Sequence, residues 1–206
     1  MNPKQKIIAL ATALILASGA TVEKGKSSDN MQGRMNAAQA EMLTQGWPAA
    51  SREAIKFMTD KYGPPTAVTS ELAVWGKTGV WKRTLVFRTE TPHRFPKPHT
   101  DVMQQWIDYK APPSMYDELA MYDGSVVLER TSGEISARCD KEAANFLALN
   151  LADEIVKGKS SVEQARKKYG EQIKAMMAKK PAPLTEKLLF TVAGGTQDQD
   201  KPLPGM

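Results

Sequence analysis

From residue 47 onward the apolar positions of this chain switch between helical and strand spacing, and the switches mark the expected elements. The densest helical pattern lies over 140–157. Phe146, Leu149 and Val156 fall near one line, and Leu147, Leu151 and Ile155 form the i, i+4 row beside it. That face is wider than a surface stripe, so the pattern predicts a largely buried helix. Asp140 is placed to accept from the first-turn N–H groups as N-cap, Glu142 suits the same end of the dipole, and Gly158 closes the helix. Ala54, Ile55, Phe57 and Met58 predict a second helix over 52–61, capped by Ser51 and stopped by Tyr62-Gly63-Pro64-Pro65. Val162, Ala165, Tyr169, Ile173 and Met176 predict a third over 161–178, behind Ser160-Ser161 and Glu163-Gln164 at capping-box spacing.

Strand spacing fills the middle of the chain. Residues 66–75 are rich in β-branched side chains, and Gly76-Lys77-Thr78-Gly79 separates them from 80–90. There Trp81, Leu85 and Phe87 alternate with Lys82, Thr84 and Arg88. Further strands are expected over 103–110, 126–130 and 135–139, with a short helix over 114–121 and a last short strand over 188–192. Hairpins flanked by helices, without strand–helix–strand alternation, give an α+β single domain: an antiparallel sheet of four or five strands packed against about three helices. The domain is expected over 47–193, with a disordered linker over 21–46, where 35–43 has the makings of a helical turn or two, and a disordered tail over 194–206.

The first twenty residues follow another pattern. Lys4 and Lys6 precede an 11-residue apolar run, 7–17, broken only by Thr12, and Ser18-Gly19-Ala20 supplies the small residues that a signal peptidase reads. The run is shorter than the about 20 residues a membrane span needs. The expectation is a signal peptide over 1–20, a periplasmic or secreted product, and no stable membrane insertion after cleavage. Loss of Lys4 and Lys6 leaves 26 basic residues against 23 acidic, a net charge of +3. That small excess, spread over solvated helix faces, excludes a nucleic-acid partner as the natural reading.

Gly76-Lys77-Thr78 has the ending of a phosphate-binding loop, but the glycine due five residues earlier is Glu71, so the segment reads as a turn. The 11 methionines are scattered at apolar positions and read as core. The chemistry concentrates instead in 91–101, which holds both histidines, His93 and His99, and the prolines Pro92, Pro96 and Pro98. In extended polyproline geometry, histidines six apart would stand roughly 18 Å from each other. They share a metal only if the segment folds back. Asp101 follows His99 by two, so in an extended chain both side chains point the same way. His93, His99 and Asp101 are thus candidate ligands for zinc or copper.

Cys139 is the single cysteine. With a histidine as base and Asp101 as orienter, it supplies the residue types of a Cys-His thiol enzyme or hydrolase. Strand parity places it with Ile135 and Ala137, facing the core, which favours a buried, inert thiol. The function expected is therefore an exported small binding or accessory protein, for a small ligand or a transition metal at the proline-rich loop. The alternatives are the Cys139 enzyme and a structural envelope protein acting through a protein partner.

Overall fold

The computed structural model describes residues 35–206; the expected signal peptide and the first part of the expected linker lie outside the described residues. Two helices, α1 (Ala37–Thr44) and α2 (Ala49–Tyr62), lead into a sheet of six strands. These are β1 (Ala67–Val68), β2 (Leu72–Trp75), β3 (Arg83–His93), β4 (His99–Asp108), β5 (Val126–Glu129) and β6 (Glu134–Cys139). Helix α3 (Tyr116–Tyr122) interrupts the strands, and α4 (Glu142–Val156) and α5 (Val162–Met177) follow them. The sheet order is β1-β2-β3-β4-β6-β5, and every pairing is antiparallel. The described residues thus form the α+β, antiparallel, single-domain arrangement expected, with six strands where four or five were anticipated; beside the three main helices, α3 and α1 lie where a short helix and a helical turn or two were expected.

The extra strand arises at residues 69–71. The Thr69 hydroxyl accepts from the backbone N–H groups of Glu71 and Leu72, and this local turn splits the expected first strand into β1 and β2. Another difference has a larger consequence: β3 runs on to His93 and β4 begins at His99, so the proline-rich loop is the tip of a long hairpin. No strand forms over 188–192. Residues 194–206 carry no helix or strand, yet Thr196 is buried and its hydroxyl donates to the Gly133 carbonyl at 2.7 Å.

Helix α4 packs on the sheet as its pattern demands, with twelve of its fifteen residues buried. Leu147, Leu149, Leu151 and Ile155 join Trp81, Ile107 and Ile135 in the main core. Each fully buried side chain of this kind contributes about 1.5–3 kcal/mol relative to exposure. A second cluster, built on Ile55 and Met58 of α2 with Trp75, Val86 and Met103, covers the other half of the same sheet. The helix starts at Glu142 with Lys141 as N-cap residue and no side-chain cap, one residue past the expected Asp140. Ser51 likewise lies inside α2, where its hydroxyl donates to the Phe87 carbonyl at 2.7 Å. The capping box at α5 forms as expected, between Ser161 and Gln164.

Candidate metal centre

The β3–β4 hairpin brings the two histidines together. His93 and His99 are directly paired across the strands, and Thr91 pairs with Asp101 in the same register. Paired residues share a sheet face, and so do residues two apart, so His93, His99 and Asp101 present their side chains to one side. The ring centroids of the histidines are 5.0 Å apart. The tip, 94–98, contains a cis Phe95–Pro96 peptide. Phe95 holds the tip down by packing against α5: its ring lies 5.0 Å from Tyr169, and the Arg166 guanidinium stacks 3.8 Å above it.

One ligand atom from each of His93, His99 and Asp101 lies within 4.8 Å of the others. Asp101 is the centre of the group and only 1% exposed. Its Oδ2 stands 3.2 Å from His93 Nδ1 and its Oδ1 3.1 Å from His99 Nε2. These distances are short, yet His93 Nδ1 and Asp101 Oδ1 have no aligned hydrogen-bond partner, because the ring and carboxylate directions miss each other. Two buried polar atoms left in this state cost free energy unless something else satisfies them.

His99 and Asp101 are held from behind by hydrogen bonds, and His93 faces a further carboxylate. His99 Nδ1 is 2.8 Å from the Lys97 carbonyl, an acceptor only, so Nδ1 donates there and Nε2 is the nitrogen turned inward. The Ser125 hydroxyl donates to Asp101 Oδ2. The Asp123 carboxylate faces His93 Nε2 at 3.8 Å, and is itself fixed by the Ser125 N–H at 2.9 Å. Outer partners of this kind set the tautomer and aim of metal-ligating histidines.

The groups also set one another's protonation. The Asp101 carboxylate, and then the Cys139 sulfur, push His99 up to about 11 against the cost of burial. Burial works to raise Asp101, but His99, Ser125 and the charge of His93 outweigh it and hold the carboxyl below its ordinary value. Burial raises Asp123, more than the Ser125 N–H and His93 lower it.

Cys139 stands at the edge of this group, buried as strand parity required and 7% exposed. Its Sγ is 3.3 Å from His99 Nε2 and 3.5 Å from Asp140 Oδ1. Burial pushes the thiol up, with His99 only partly opposing. A thiol enzyme needs its base to face the nucleophile with one ring nitrogen and the orienting acid with the other. Here both Cys139 and Asp101 meet His99 at Nε2, and Nδ1 is occupied by a backbone carbonyl. The arrangement does not relay a proton from Cys139 to Asp101.

Sequence reasoning missed Asp123 and Ser125, which reach the site from the turn between α3 and β5, and raised a pairing of Cys139 with a histidine only within the thiol-enzyme alternative. None of these shows a local motif; all depend on which strands are neighbours. Clefts of about 440, 480 and 560 Å³ lie elsewhere, between α2 and the start of α4, between α1 and α2, and beside residues 187–194. No helix among the described residues is long and apolar enough to cross a membrane. No protein-family model, curated protein or solved structure matches this chain, so the side chains themselves are what speaks for its chemistry.

Proposed function

We propose that this chain is an exported binding protein, periplasmic or secreted, that holds a transition-metal ion through His93 Nδ1, His99 Nε2 and Asp101 Oδ1. The observation that carries this is the approach of two imidazoles to one buried carboxylate, in which His93 Nδ1 and Asp101 Oδ1 have no hydrogen-bond partner. A divalent ion satisfies all three at once. On a tetrahedral centre with bonds of about 2.0–2.2 Å, nitrogen and oxygen ligands stand about 3.4 Å apart. The 3.1 Å between His99 Nε2 and Asp101 Oδ1 is close to that separation.

Two imidazoles and one carboxylate suit zinc or copper better than magnesium or calcium, which favour all-oxygen shells. Support for export is the amino-terminal pattern of Lys4, Lys6, the 7–17 run and Ser18-Gly19-Ala20. The thiol-enzyme alternative draws less support, because His99 does not bridge Cys139 and Asp101 through opposite nitrogens.

The test is elemental analysis of the protein purified without a chelator or histidine tag, followed by calorimetric titration of the stripped protein with zinc and with copper. One equivalent is expected to bind, and His99→Ala is expected to abolish binding while circular dichroism stays unchanged. A stripped, folded protein that takes up neither ion refutes the proposal. Export is checked separately: the protein from its native host should begin at or near Thr21, and an intact Met1 would refute it.

A further inference from the structure

Resting on the three-ligand site above, we infer that Cys139 is a fourth ligand and that its thiolate closes the site around zinc. Three observations bring the sulfur to the ion. Cys139 pairs with Met103 across β4 and β6, and Asp101 is two residues from Met103, so Cys139 and Asp101 are diagonal neighbours on one sheet face. The sulfur touches the same His99 nitrogen that faces the Asp101 carboxylate, at 3.3 Å. Sulfur and nitrogen bound to one tetrahedral zinc, at about 2.3 and 2.0–2.1 Å, stand about 3.6 Å apart, so this contact is already at coordination range.

The surroundings of the thiol agree. A cysteine that only fills a core sits among apolar atoms, whereas this one faces an imidazole nitrogen at 3.3 Å. Asp101, buried with Oδ1 unpartnered, supplies an independent sign that the cluster is built for a ligand.

Coordination forms zinc–sulfur and zinc–nitrogen bonds and breaks the Cys139 S–H bond and the His99 Nε2–H bond, with both protons passing to solvent; no electrons are transferred. The chemical consequence is twofold. A thiolate moves the preference toward zinc and copper and away from manganese, magnesium and calcium. Four protein ligands also leave no open position for a metal-bound water, so the ion is held and not used as a hydrolytic centre.

Cobalt(II) substitution separates this inference from the reading it rests on. The stripped full-length protein is titrated with cobalt(II) and followed in the visible and near-ultraviolet. Visible bands of tetrahedral intensity together with a near-ultraviolet sulfur-to-cobalt charge-transfer band are expected. Cys139→Ser should lose the charge-transfer band, keep visible bands, and weaken zinc binding by more than the roughly 10–100-fold that loss of an outer partner costs. Visible bands without charge transfer in the unsubstituted protein overturn the Cys139 assignment and leave the three-ligand site standing. No visible bands at all overturn the three-ligand reading as well. Should Cys139→Ser not fold, zinc-edge X-ray absorption of the unsubstituted protein decides: a sulfur neighbour at about 2.3 Å supports the inference, and a nitrogen/oxygen-only shell overturns it.

Discussion

Two carboxylates are buried against the same sheet, and they are treated in opposite ways. Glu142, 3% exposed in the first turn of α4, accepts from Trp81 Nε1 at 2.7 Å, Tyr62 hydroxyl at 2.8 Å, Gln105 Nε2 at 3.4 Å and the Lys61 ammonium. Every one of those partners is a donor only or is donating here, so the carboxylate charge is matched by hydrogens the protein supplies. Asp101, four residues before Gln105 on β4 and on the same face, has the Ser125 hydroxyl and otherwise two imidazoles. Imidazole nitrogens are donors only when protonated and are metal ligands when not. A buried acid surrounded by Trp, Tyr and Lys is finished as structure. One surrounded by histidines, with an oxygen left over, is finished only by a proton or a metal ion.

That contrast is breakable by substitution. The largest effect is expected at Glu142→Ala, which leaves Trp81, Tyr62, Gln105 and Lys61 facing a hole. Because Lys61 is half exposed and can turn to water, the loss is set at the lower end for a broken buried pair, about 3 kcal/mol in denaturant unfolding. Zinc binding at room temperature should survive. Asp101→Asn is expected to do the reverse: metal binding is lost, and the metal-free protein loses less stability than with Glu142→Ala. Equal destabilisation by the two would remove the distinction between them.

A smaller effect sharpens the metal side. Ser125→Ala removes the hydroxyl that aims Asp101 without touching a ligand, and should weaken zinc roughly 10-fold with the fold intact. Unchanged affinity would mean that the Ser125 contact does not orient the ligand.

The smallest concerns a third acid on the opposite sheet face. Burial works to raise Glu134, but Arg83 at 2.6 Å and Lys82 at 2.6 Å outweigh it and hold the carboxyl below its ordinary value. A depressed folded value stabilises the protein above the unfolded range near about 4.3 and ceases to do so as pH falls through the folded value. Glu134→Gln should therefore lower stability at neutral pH, and its deficit should shrink on acidification below about pH 4. A deficit that stays constant across that range would contradict the assignment.

How far the sequence revealed these sites depends on the distance over which each is built. The shared face of His99 and Asp101 follows from strand parity, and so does the burial of Cys139 beside Ile135 and Ala137. The approach of His93 was readable only as a condition, since three prolines in seven residues fit either an extended rod or a hairpin tip. What closes the tip is Phe95 packed on Tyr169 and Arg166 of α5. The β4–β6 neighbourhood that brings Cys139 to His99, and the turn that brings Asp123 and Ser125, are set by pairings between distant segments with no local signature. Glu142 looked like a dipole residue at a helix start; its role as a buried acceptor needed Tyr62, Trp81 and Gln105 to be placed in space.

The most direct test of the metal site is anomalous X-ray scattering at the zinc edge from crystals of the protein purified with zinc. The expected result is a single strong peak bonded to His93 Nδ1, His99 Nε2 and Asp101 Oδ1 at about 2.0–2.2 Å. A well-ordered hairpin tip with both rings and the carboxylate in place, and no peak between them, would contradict it.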